Sequence, residues 1–207
     1  MISIINILKR WGILILLSAF LIHLGSAQKI NFGAYTTSQG ITLSIPSSPG
    51  YLDFCTKQPW IGSGTSATVT ILLSDVETQY IKIIGDATRD ITVTISAPQY
   101  LITGAGGLGK QIPFTSNFAY SNLGSGDAIS AKASAVQVPG GFTAITLPML
   151  RRTAGVPALP PTPAHGGYTA PQATAYLFLY GKLGPVGNVN SGTYTGTINV
   201  NVNYSTY

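Results

Sequence analysis

Apolar and polar residues alternate with a period of two along much of the chain, the pattern of strands that turn one face to a core and the other to solvent. Ile41-Thr42-Leu43-Ser44-Ile45, Ala67-Thr68-Val69-Thr70-Ile71 and Ile91-Thr92-Val93-Thr94-Ile95 alternate in this way, with many β-branched residues. The clearest run is the last: Ile198, Val200, Val202 and Tyr204 share one face, and Thr197, Asn199, Asn201 and Asn203 share the other. Turn residues separate the runs, in clusters such as Pro46-Ser47-Ser48-Pro49-Gly50, Gly62-Ser63-Gly64, Gly124-Ser125-Gly126-Asp127 and Pro139-Gly140-Gly141. No segment after residue 27 sustains a capped 3.6-residue period over three turns, which predicts almost no helix. Many short strands divided by turns predict an all-β fold. Uneven strand lengths and irregular loops favour a single antiparallel β-sandwich over a symmetric closed barrel.

The first 27 residues break this pattern. Lys9 and Arg10 precede an apolar run from Trp11 to Leu24, and Gly25-Ser26-Ala27 closes it. That is the layout of a signal peptide cut after Ala27, which predicts a secreted or cell-surface protein. An uncut anchor helix is the alternative, although the run falls short of the ~20 residues that span a bilayer. Cleavage would leave residues 28–207 as one domain with no stable membrane insertion.

Only 8% of the chain is charged. After Ala27 the basic residues are scattered singly except for Arg151-Arg152, so no stripe suited to nucleic acid is present. Chemistry for catalysis is equally sparse: one His (His165), one Glu (Glu77), one Cys (Cys55) and five Asp follow the leader. A His-based metal site lacks partners, and a Ser/His/Asp set would have to recruit His165 from a Pro-rich loop. Asp53, Asp75, Glu77, Asp86 and Asp90 lack the spacing of a calcium loop. These absences predict a protein that is not an enzyme and has no cofactor. Cys55 has no second cysteine to pair with in the chain. Its readings are a buried small hydrophobe, an intermolecular disulfide or a reactive thiol.

Three further motifs have plain readings beside their sharper ones. Gly104 to Gly109 spells GxGxxG, but Gln111-Ile112-Pro113-Phe114-Thr115 after it reads as a strand, whereas a phosphate cradle needs a helix there. A hairpin loop is therefore expected. Asn203-Tyr204-Ser205 spells a glycosylation sequon inside the last strand. The segment from Pro148 to Pro171 holds six of the thirteen prolines, with Pro157-Ala158-Leu159-Pro160 as a PxxP, and is expected to be a surface loop.

The C-terminal stretch Ser191-Gly192-Thr193-Tyr194-Thr195-Gly196-Thr197, running into Ile198-Asn199-Val200-Asn201-Val202-Asn203-Tyr204, resembles the ending of a secreted bacterial domain family of unknown function. That family is related in pattern to spore coat protein U and the archaic chaperone–usher pilins. Ile30-Asn31-Phe32-Gly33-Ala34-Tyr35 resembles its opening strand, and Ile83-Ile84-Gly85-Asp86 with Ile91 to Ile95 its middle. The resemblance implies an immunoglobulin-like sandwich at the cell surface: a structural or adhesive, pilin-like subunit whose partners are copies of itself or a periplasmic chaperone. It also implies assembly by strand donation, with an extended segment completing a neighbour's sheet. Gln28 to Ile45 would be the donor, through Ile30, Phe32, Ile41, Leu43 and Ile45. The last strand, with Tyr194, Ile198, Val200, Val202 and Tyr204, would be an edge bordering the acceptor groove. The competing reading is a monomeric carbohydrate-binding module that stacks Tyr51, Trp60 and Tyr168 on a surface glycan.

Overall fold

The computed structural model describes residues 28–45, 50–58, 66–104, 110–152 and 169–205. Among these the chain runs β1 (Gln28–Tyr35), β2 (Thr42–Ser44), β3 (Tyr51–Asp53), α1 (Phe54–Lys57), β4 (Val69–Ile71), β5 (Gln79–Asp86), β6 (Asp90–Ser96) and β7 (Tyr100–Ile102). It continues as β8 (Gln111–Ser121), α2 (Ala128–Ala133), β9 (Val136–Val138), β10 (Ala144–Pro148), β11 (Gln172–Leu183) and β12 (Tyr194–Tyr204). The fold is all-β, and the strands form one large curled sheet.

Two long strands organise the sheet. β11 lies between β8 on one side and β5 and β4 on the other, with β2 beyond β5 and β9 beyond β8. β12 lies between β1 on one side and β6 and β7 on the other, with β3 beyond β1 and β10 beyond β6. β8 joins the two groups, because Gln111 to Pro113 pair with β7 and Phe114 to Ser121 pair with β11. The expected wholly antiparallel arrangement is corrected in one place: β1 and β12 run parallel. Parallel neighbours need a long connection, and the whole body of the fold separates these two.

The periodicity of the sequence sets which side chains are buried. In β12, Ile198, Val200, Val202 and Tyr204 are buried, while Thr197 and Asn199 are exposed. β6 repeats this with Ile91, Val93 and Ile95. β11 instead reads as an unbroken apolar run, and Ala175 to Leu179 are all buried, as expected of a strand covered on both faces. Tyr80, Tyr176 and Phe178 form a ring cluster there, and the Tyr176 hydroxyl donates to the Gly126 carbonyl ahead of α2. Buried side chains from both groups of strands belong to one apolar cluster.

Two local features depart from the sequence reading. The cluster around Asp127 is a helix start as well as a turn, since its carboxylate accepts from the Ser130 amide and caps α2. In the segment expected as a surface loop from Pro148, Pro148 instead ends β10, Met149 is fully buried, and Arg152 pairs with Asp90 at 2.6 Å. Residues 153–168, with the PxxP segment and His165, lie outside the described residues. Beyond the glycine run the chain is strand, because β7 and β8 pair antiparallel across it. Among the described residues, no helix is long and apolar enough to cross a membrane.

Candidate functional site

β1 and the ground it occupies bring together most of the predicted site residues. Its eight residues pair one to one with Tyr194 to Asn201 of β12. Ile30 is fully buried, opposite Gly196 in register, and Phe32 and Ala34 pack against the core from half-buried positions. A Cβ on Gly33 would lie 2.7 Å from the Asn199 Oδ1, the tip of an exposed side chain that is free to turn away. On its other side β1 pairs with β3 only through Lys29 to Asn31. No ladder flanks the outer side of Phe32 to Tyr35 among the described residues, and Tyr35 is exposed.

Both ends of β1 are tied down. At its start, the Gln28 amide nitrogen donates to the Cys55 Sγ at 3.1 Å, and the thiol donates to the Gln28 Oε1 at 2.8 Å. Gln28 is one of few buried polar side chains. Burial pushes the Cys55 thiol pKa up, opposed by the Gln28 N–H and more weakly by the Lys29 charge. At its end, the Asn203 Oδ1 accepts from the Thr37 amide at 3.0 Å and the Thr37 hydroxyl at 2.9 Å, and Ser38 Oγ accepts from the Tyr204 amide. The Asn203 amide nitrogen donates in turn to Asn201. The sequon residue therefore serves as a clamp on the exit of β1. A row of Asn on the polar face of a strand, with Thr-Thr-Ser just after another, is the signal that sequence reading passed over.

The donor residues named from the sequence separate in space. Ile30 and Phe32 lie on β1 against β12, whereas Leu43 lies on β2 against β5, with buried Ile41 and half-buried Ile45 on either side of it. The turn ending at Gly40, whose φ is +83°, divides the segment, so Gln28 to Ile45 is not one continuous strand. The last strand is also corrected: Tyr194, Ile198, Val200, Val202 and Tyr204 are all buried on β12, which is interior to the sheet. Of the sugar-stacking set, Tyr51 lies on β3 with the Lys29 ammonium 4.5 Å above its ring and bonded to its hydroxyl. Trp60 and Tyr168 lie outside the described residues.

A second surface feature lies between α2 and the segment after β4. An open groove of about 630 Å³ is lined by Leu72, Leu73, Ile129, Lys132, Gln137 and Tyr180, and Ile129 is 81% exposed. Beside it the Lys57 ammonium pairs with Asp75 at 2.7 Å, and Lys132 donates to the Asp75 carbonyl. Among the described residues, no three His, Cys, Asp or Glu side chains converge as a metal site would require. No family model and no curated protein matches this chain.

Proposed function

We propose that the chain is an exported, non-enzymatic structural or adhesive subunit, of the kind its resemblance to spore coat protein U and archaic pilins implies, and that it assembles through exchange of β1. In this reading the curled sheet acts as an immunoglobulin-like sandwich completed by β1 from the same chain or from a neighbour. The observation that carries it is the seat of β1. This first described strand is bound by a full ladder to β12 and a short one to β3, and among the described residues the rest of its outer side has no ladder. A terminal strand seated in this way can be replaced by the same strand of another copy without new chemistry, which is the basis of strand donation and domain swapping. Exposed Leu72 and Ile129 add apolar surface for a protein partner.

Asn31 and Thr197 are exposed register partners in β1 and β12. In the chain beginning at Gln28 and carrying Asn31→Cys and Thr197→Cys, oxidation is expected to give covalent multimers on a non-reducing gel. Protein beginning at Ile41 is expected to be a less stable monomer. Crosslinked monomer alone, together with a stable truncated monomer, would overturn strand exchange and leave a monomeric binding module.

A further inference from the structure

We propose that Cys55 and Gln28 join in an internal thioester that covalently fixes the start of β1 to α1. The pair unites a nucleophile and an acyl carbon. The sulfur is 2.8 Å from the Gln28 Oε1, and a C=O bond of ~1.2 Å places the Gln28 Cδ within about 4 Å of it. That is close to the separation from which intramolecular reactions gain most of their advantage.

Both partners are held by their surroundings. The pairing of Lys29 with Asp53 aligns the chain on either side, and the Asp53 carboxylate accepts from the Cys55 amide at 2.8 Å. Gln28 is only 5% exposed, so water has little access to the acyl carbon. Strand pairing usually recruits apolar side chains to such a position, yet here a carboxamide points at the one thiol of the chain.

The step balances without an oxidant or a second reactant. Cys55 Sγ attacks Gln28 Cδ, the S–C bond forms, the Cδ–Nε2 bond breaks, and the thiol proton leaves with the nitrogen as ammonia. The thiolate is the attacking species. Because burial raises the thiol pKa, closure is expected to speed up as pH rises. The inference does not rest on β1 exchange, and a molecule that has closed this bond on its own β1 can no longer donate that strand to a neighbour.

The test is mass spectrometry of the purified protein, denatured with a phosphine reductant that leaves thioesters intact. The expected mass is that of the sequence less one ammonia, with Cys55 closed to iodoacetamide. Methylamine is then expected to open the bond, attach itself to Gln28 and return a thiol that alkylates. Gln28→Glu, with no ammonia to lose, is expected to keep its full mass and alkylate at once. If that variant fails to fold, the wild-type measurements still decide. Full wild-type mass with complete alkylation of Cys55 would overturn the proposal. Ammonia loss with Cys55 still open to alkylation would overturn it too, since that is the mark of Gln28 cyclising on its own terminal amine.

Discussion

Tyr204 closes β12 with its hydroxyl between two backbone groups, accepting from the Asp86 amide at 2.7 Å and donating to the Gly40 carbonyl at 3.2 Å. The Arg89 guanidinium lies 3.8 Å from its ring centre. One side chain thereby links the end of the chain to the turn before β2 and to the turn between β5 and β6. Tyr204→Phe keeps the buried ring and strands both backbone groups, so it is expected to cost about 1–3 kcal/mol. The check is a lower urea midpoint at unchanged slope. Gly181 acts by absence: a Cβ there would strike the Thr115 carbonyl oxygen where β11 meets β8. Gly181→Ala is expected to lose about 1–3 kcal/mol by overpacking, seen in the same titration. Neither constraint is local, so sequence alone showed Tyr204 as one more position on the apolar face of its strand.

Among the elements, β1 carries the most consequence. Ile30→Ala removes a fully buried side chain and is expected to cost about 2–5 kcal/mol. Amide exchange should rise first at residues 28–35, ahead of β11, if β1 opens as a unit. Strand existence was legible: the alternations of β6 and β12 each match their observed burial. Strand neighbours were not. The polar face of Asn199, Asn201 and Asn203 says which side chains meet solvent but nothing of what lies beside the backbone, and the edge position expected of β12 came from the resemblance alone. Pairing register is set by tertiary packing and turn geometry, and the ladder of β1 with β12 joins residues with nearly the whole chain between them. The contact of Gln28 with Cys55 was hidden likewise, since it exists only once β1 lies against β3. The Asp127 cap was legible in principle, being a capping residue directly before Ala128-Ile129-Ser130-Ala131.

At the scale of the whole molecule, few charges govern the response to pH. Asp75 is held below its ordinary 3.8 chiefly by Lys57 and then by the Leu72 N–H, and Asp127 by the Ser130 N–H and hydroxyl. A lowered folded-state pKa contributes stability that is present above the unfolded value and is lost as pH falls through the folded one. The thermal midpoint is therefore expected to decline below about pH 3.8. Lys57 is raised above 10.5 by the same pair, so its contribution is present below that value and is lost as pH rises through the raised one. These groups sit near the surface and the effects are small. Asp75→Asn should weaken both declines, read by circular dichroism melts across pH.

The parallel ladder of β1 with β12 also sets an order of events. Chains are made from the N-terminus, and a long-range contact waits until the intervening chain is present. β1 is therefore made well before its long ladder can form, with only the short pairing to β3 within early reach. Through that interval the edge that will meet β12 is open to whatever stands nearby, a chaperone or the β12 of a copy whose own β1 has not yet docked. The choice between a solitary molecule and a chain of molecules is then a race, decided by how quickly Tyr194 to Tyr204 follow.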